Sequence, residues 1–441
     1  MGADSVADVA VSQSAMRKAS WRIIPLLGLG YLFSSLDRLN LSFAATEMNL
    51  DLKFSATVYG LGGGLFFLTY ALLEVPSGMV MPRFGARRWI ARIMISWGLV
   101  SAAMMFIKTP WQFYALRLLL GAAEAGFWPT AIYFVSSWFP GAHRGRAVSR
   151  FYAFGGVASI VMGAVSGWLL ALDGTAGLHG WQWLFLVEGL PTILVGLAVL
   201  RFLPDEPRTA DWLTREEKGW LVGELDGGDV RHGATSGHHV LRSLRNPLVL
   251  QLAVISTLAI GSYVGFLLIV PQLLRSATGF SVQNVGYLVS LAGALSVIGM
   301  LASGWHSDRQ GQRWTHLIGS LFLSCASFAL IAVAKTPGAM ITGYLVLNLV
   351  WPAVTLSMCL VLTEIVAVRM VAVAMAAVNT LSQLGAFAVP SLWGISKDAT
   401  GSYSLGLTLV PVAFAVATGL AIILRRKVRG KDVALGAVAV A

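Results

Sequence analysis

Charged residues are few in this 441-residue chain: Asp, Glu, Lys and Arg make up 12% of it, against 56% hydrophobic residues. A soluble domain carries about a quarter charged residues, so the shortfall points to lipid as the solvent for most of the chain. Cysteine is rarer still. Cys325 and Cys359 are the only two, both inside apolar runs, which argues against a disulfide framework or thiolate metal site and leaves two small buried hydrophobes. The seven histidines show no metal-ligand spacing, so no metal is expected. Long polar stretches are missing too. The longest runs from Pro204 to Asn246, short for a catalytic domain, and without a catalytic constellation an enzyme is not expected. The first 20 residues hold no apolar core followed by a small-residue cleavage site, so the first apolar run is expected to remain as a span.

What is present is one apolar run after another. Hydropathy and turn signals predict twelve spans: Trp21–Phe43, Val58–Met81, Trp89–Ile107, Phe113–Trp138, Ala147–Leu172, Trp181–Leu203, Leu248–Leu274, Val282–Trp305, His316–Ala334, Gly338–Thr363, Val371–Gly394 and Ser404–Leu424. With the N-terminus in the cytoplasm, 25 of the 32 Lys and Arg residues lie on the cytoplasmic side, and only Lys53, Lys108, Arg275, Lys335 and Lys397 lie opposite. The positive-inside rule therefore predicts both termini in the cytoplasm and accounts for the net charge of +11 without nucleic acid. Trp111, Trp181, Trp183, Trp305, Trp314 and Trp393, near span ends, fit an interfacial belt. The run Gly60 to Gly64 lies inside a span with no Lys-Ser or Lys-Thr after it, which makes it a close-packing surface rather than a phosphate loop.

The polar interval divides the chain into residues 1–203, a linker at 204–247, and 248–441, six spans on either side. Within the linker, Thr214-Arg-Glu-Glu217 is a capping-box pattern that starts a short amphipathic helix with Leu213, Trp220 and Leu221 near one face. The halves also repeat. Gly78-Met-Val-Met-Pro-Arg-Phe-Gly-Ala-Arg-Arg88 recurs 226 residues later as Gly304-Trp-His-Ser-Asp-Arg-Gln-Gly-Gln-Arg313, and Arg144 recurs at nearly the same offset as Arg369. A recurrence at one offset indicates an internal duplication.

These glycine-led basic loops resemble the signature between spans two and three of the major facilitator superfamily, repeated between eight and nine. Pro82 stands where that signature usually has aspartate. More specific strings are Ser35-Leu-Asp-Arg-Leu-Asn-Leu-Ser42, Glu74-Val-Pro-Ser77, Gly85-Ala-Arg-Arg-Trp89, Arg117-Leu-Leu-Leu-Gly-Ala-Ala-Glu124, Ser137-Trp-Phe-Pro140 and Trp181-Gln-Trp-Leu-Phe-Leu-Val-Glu-Gly-Leu-Pro191. Together they resemble the anion:cation symporter family, whose bacterial members carry tartrate, phthalate, galactonate and hydroxyphenylacetate. The resemblance implies an all-α membrane protein of the major facilitator fold, with 12 transmembrane helices in two six-helix bundles around a central cavity. It also implies proton-coupled uptake of a small organic anion across a bacterial inner membrane, by a monomer that uses the proton gradient and no cofactor. An exporter of the same fold and a transporter-like receptor are the alternatives.

Charge inside hydrocarbon is retained where it faces a cavity or a partner, which singles out Asp37, Arg38, Glu74, Arg117, Glu124 and Glu188. At about 1.5 Å per residue, Asp37, Arg38 and Arg117 form an outer layer above Tyr70 and Glu124 near the midplane. Arg117 and Glu124 are seven residues apart, so two helical turns bring them to one face. The resemblance assigns proton coupling to Asp37 and Glu124 and substrate binding to Arg38, Tyr70 and Arg117. Arg117 is the expected main anion contact, neutralised by Asp37 or Glu124 when no substrate is present. Glu74 and Glu188, nearer helix ends, are expected to brace the structure. The second half offers neutral groups instead: Tyr263, Gln272, Asn348, Trp351, Asn379 and Gln383. Asn379 and Gln383, four apart, share a helix face and are expected to line the substrate cavity.

Overall fold

Helix starts follow the cap chemistry written in the sequence. Ser55 Oγ accepts the Val58 N–H, Thr109 and Gln112 form a reciprocal capping box, Asn246 caps Leu248, and Thr336 caps Ala339. A computed structural model describes residues 3–227, 243, 245–310, 312–366 and 370–439. These residues contain no strand. Their α-helices are α1 (Ala3–Asp51), α2 (Ala56–Phe84), α3 (Ala86–Ala103), α4 (Pro110–Glu124), α5 (Phe127–Trp138), α6 (Gly141–Leu170), α7 (Gly180–Phe202), α8 (Arg215–Gly227), α9 (Pro247–Thr278), α10 (Val282–Gln310), α11 (Arg313–Val333), α12 (Pro337–Ile365), α13 (Val371–Thr400) and α14 (Ser404–Ala439). Arg369 and linker residues 228–242 and 244 lie outside the described residues.

Among the described residues eleven helical segments are long and apolar enough to cross a membrane. The twelfth long helix is α1, which carries Asp37 and Arg38 in mid-course and so reads as less apolar than its neighbours. The fourth span is broken where the sequence suggested one continuous helix. α4 ends at Glu124, Gly126 adopts φ 91°, and α5 resumes at Phe127. Only glycine fits there, because a Cβ would need a left-handed conformation and would meet Ser77 Oγ at 2.1 Å.

Helices α1–α7 pack as one group and α9–α14 as another, and they meet along α2–α13, α6–α10 and α1–α9. The seams are tight at the end of the molecule away from the linker, here the far end. A Cβ on Gly60 would meet the Pro390 carbonyl oxygen at 2.3 Å, and one on Gly64 would meet that of Phe387 at 2.5 Å. Gly163 and Gly286 confront each other's carbonyls at 2.3 and 2.2 Å in the same way. Helix backbones touch there because no side chain intervenes. Tyr59 adds a hydrogen bond to the Leu268 carbonyl at 2.8 Å across the seam. Toward the linker end, the α2–α13 seam closes with Glu74 and Asn379, and a Cβ on Gly78, one turn further, would meet nothing within 4 Å.

The capping box of α8 forms as the sequence suggested, and it is also the anchor of that helix. Glu217 accepts the Thr214 N–H at 2.8 Å, Ser14 Oγ at 2.7 Å and Lys18 Nζ at 2.8 Å, while Leu213 and Leu221 are buried. Burial pushes the Glu217 carboxyl up, but hydrogen bonds from Lys18, the Thr214 backbone and Ser14 outweigh it and hold the group at about 2. Of the tryptophans expected at the interface, Trp111 and Trp305 are exposed, but Trp181, Trp314 and Trp393 are buried in the protein. The indoles of Trp181 and Trp314 donate to Asp51 and Glu364, so local carboxylates draw them inward.

Candidate functional site

Arg38 and Glu124 form the centre of the charged cluster. Arg38 Nη2 donates to Glu124 Oε1 at 3.0 Å, and Ser34, one turn earlier on α1, donates to the same oxygen at 2.7 Å. The guanidinium lies 5.5 Å from the Tyr70 ring centroid and 5.9 Å from that of Phe66, near enough for the ring faces to favour the cation. Glu124 is buried, whereas the Arg38 side chain is 34% exposed. A lone charge at the membrane centre costs at least about 3 kcal/mol, and breaking a buried pair costs about 3–5 kcal/mol. Each group therefore needs the other or a substitute for it.

Asp37 is adjacent in sequence, but its carboxylate faces another way. Neighbouring helical residues point about 100° apart, and the Asp37 carboxylate turns to α3, where Ser101 Oγ donates to it at 2.7 Å. Its second oxygen is buried without a hydrogen-bond partner among the described residues. Behind it Glu188 accepts from Asn40, neither the helix cap nor the arginine partner expected of it.

Arg117 departs from the expected pairing. Its Nε and Nη2 donate to the carbonyls of Gly62 and Gly63 at 3.2 and 3.4 Å, and its guanidinium lies 4.9 Å from the Phe66 ring centroid. It is 3% exposed and has no carboxylate within 4 Å among the described residues. Glu124 is on the same helix but is taken by Arg38. Residues 62 and 63 have no side chains to shield their carbonyls, so the guanidinium reaches the α2 backbone. Phe66 thus stands between two guanidiniums, one open and one enclosed.

In the second half, Tyr263 stacks on Trp351 at 3.9 Å between centroids, and its hydroxyl reaches Asn348 Oδ1 at 3.4 Å. A small cavity bordered by Ser42, Tyr263, Tyr344 and Asn348 joins the halves there. Gln383 is buried, and its side chain makes no hydrogen bond among the described residues. Asn379 does not share that freedom. Its amide nitrogen donates to both oxygens of Glu74, at 3.1 and 2.8 Å, across the seam. Sequence reasoning missed this pairing, as it missed Ser34, Phe66 and Ser101. Ser34 alone had a sequence signal, since it precedes Arg38 by one helical turn.

Two groups of long apolar helices, sealed at one end and holding a buried ion pair beside a partly open guanidinium, define a multi-pass membrane transporter rather than an enzyme. The chain belongs to the Major Facilitator Superfamily, whose family model matches residues 27–390. It is 37% identical to a protein of Agrobacterium vitis named as a candidate tartrate transporter, over 96% of this chain and 94% of that protein. It is 33% identical to a quinolone resistance transporter of Acinetobacter baumannii, over 91% of this chain and 92% of that one. The inward-facing, unoccupied structure of a bacterial homologue of the human lysosomal transporter Spinster shares the fold, with a TM-score of 0.75 and 17% identity over 92% of this chain and 97% of that chain.

Proposed function

We propose that this transporter is a proton:organic-anion symporter of the bacterial inner membrane, working by rocking of its two halves with the linker end in the cytoplasm. The observation that carries the reading is the Arg38–Glu124 pair, a partly open guanidinium whose counter-ion is a titratable carboxylate. Arginine stays charged at any relevant pH and offers parallel donors to a carboxylate. While Glu124 is ionised it occupies Arg38. A proton on Glu124 removes that counter-charge, and an organic carboxylate then replaces it on Arg38 at little electrostatic cost. Proton and anion load together for this reason.

Asp37, whose carboxylate accepts from Ser101 alone among the described residues, is the second coupling group in this reading. Tyr70 supplies an aromatic wall, and Gln383 and Asn379 offer amides to the substrate's hydroxyl groups. Arg117 holds α4 to α2 and contributes its positive charge from one layer away. The basic residues support a cytoplasmic linker end, which makes the sealed far end the side closed to the outside. Relatedness to a protein named for tartrate transport favours a hydroxy acid as substrate. The carrier works on this account as a monomer, with a small anion and protons as its partners and no cofactor.

The test is uptake of labelled tartrate, phthalate, galactonate and hydroxyphenylacetate into proteoliposomes under an inward proton gradient. At least one is expected to accumulate until a protonophore is added. Transport of none of the four, or accumulation indifferent to the protonophore, overturns the reading. Identity to the quinolone resistance transporter favours one alternative, export of an organic compound by the same fold. Raised quinolone tolerance in expressing cells, with no anion uptake in proteoliposomes, would support it.

A further inference from the structure

We infer that Glu74 is a further proton acceptor beside Glu124 and Asp37, one that ties the protonation state of the carrier to the seam between its halves; this rests on the proton-coupled reading above. Among the described residues four buried carboxylates lie within the spans: Asp37, Glu74, Glu124 and Glu188. Asp37, Glu124 and Glu188 take their hydrogen bonds from Ser101, from Ser34 and Arg38, and from Asn40, all in their own half. Glu74 takes its bonds from Asn379, 305 residues away on α13. Both carboxylate oxygens accept from the one amide nitrogen, and no cation lies within 4 Å among the described residues. A buried carboxylate held only by a neutral donor is the kind of group that exchanges a proton when its surroundings change.

Those surroundings are set by few groups. Tyr70 is one turn earlier on α2, and α13 brings Asn379 and, a turn later, Gln383, both neutral. From α1 comes Arg38, over the Tyr70 ring, the one cation among the described residues whose charge reaches Glu74; Glu124 of α4 lies behind it, bound to Arg38. Among the described residues α3 and α5 bring no charge to the carboxylate. When an organic carboxylate takes the place of Glu124 on Arg38, its negative charge stands on the open side of the guanidinium instead of behind it. That change favours uptake of a proton by Glu74 from the linker side. A neutral carboxyl no longer offers two acceptor oxygens to the Asn379 NH2, and its new O–H requires an acceptor, so the amide must turn or let go. Anion loading thereby loosens the last hydrogen bond of the α2–α13 seam among the described residues at the linker end, the end that has to move when the halves rock. It also releases Asn379 toward the substrate.

The experiment is the proton-to-anion ratio, read from reversal potentials in proteoliposomes for wild-type protein and for E74Q, using whichever of tartrate, phthalate, galactonate and hydroxyphenylacetate the wild type accumulates. E74Q is expected to carry the anion with one proton fewer per cycle. An unchanged ratio beside a proton-coupled wild type overturns the role of Glu74 and leaves the symport reading standing. Wild-type transport of the anion without protons, or of none of the four, defeats both together. Should E74Q fail to assemble, N379A asks the same question. Removing the donors to the carboxylate favours its neutral form, so the pH of half-maximal uptake should rise by about one unit. A midpoint that stays put would mean that Glu74 only braces the seam.

Discussion

Asp398, near the far end of α13, accepts the backbone N–H groups of Ala56 at 3.0 Å and Thr57 at 2.8 Å, the first two residues of α2. A side chain of one half thus caps the amino end of a helix in the other, where unpaired N–H groups and the helix dipole both favour an anion. Losing such a cap costs about 0.5–2 kcal/mol. D398A should therefore shift the balance between far-end-closed and far-end-open states by roughly 2- to 30-fold toward the open one. Spin labels flanking the far end of α2 and α13 would report it as a longer-distance population, and an unchanged distribution would refute it.

The two arginines should separate under the same substitution. R38K loses the planar fork beside Glu124 and is expected to weaken anion binding by about 1–3 kcal/mol, or 5- to 150-fold. R117K should chiefly lower thermal stability, because its partners are the Gly62 and Gly63 carbonyls. Equilibrium binding and melting of both purified variants check this. If R117K lost affinity while R38K kept it, the assignment would be reversed.

E124Q carries a permanently neutral group in place of the Arg38 counter-ion. Exchange of labelled for unlabelled anion should persist, while accumulation driven by a proton gradient should disappear. Concentrative uptake at the wild-type level would remove Glu124 from coupling.

The linker helix offers a pH test outside the membrane. Glu217, ordinarily titrating near 4.5, is held at about 2. A depressed carboxyl stabilises the docked helix fully above pH 4.5, and that stabilisation is lost as the pH falls toward 2. E217Q should mimic the acid state at neutral pH, with faster amide hydrogen exchange in α8 than in wild type. Equal exchange rates in the two proteins would show that Leu213 and Leu221 alone hold the helix down.

Much of the helical frame was legible because hydrocarbon penalises charge and irregular backbone so heavily that spans and ends are written into composition. Arg38 and Glu124 stood out for the same reason. Who pairs with whom was not legible. Helical spacing put Arg117 and Glu124 on one face, yet Arg38 reaches Glu124 from a helix 86 residues away, and Arg117 turns to carbonyls that any sequence possesses. The Glu74–Asn379 bond depends on how two halves meet, and no local pattern encodes that. The break at Gly126 was hidden because a glycine inside an apolar run looks the same whether it kinks a helix or packs one.

The bare α2–α13 contact at the far end has a kinetic meaning. Where Gly60 and Gly64 lie against the carbonyls of Pro390 and Phe387, with the small Ser391 hydroxyl the nearest side chain, there are no large interlocked side chains to withdraw when the helices part. A side-chain-packed interface would have to pass through a loosened, unpacked state before it could release. A glycine-faced one can slide or lift as a rigid body, leaving discrete bonds such as those of Tyr59 to set the threshold. Each added methyl on that face would act like grit in a bearing, and turnover should fall even in variants whose binding site is untouched.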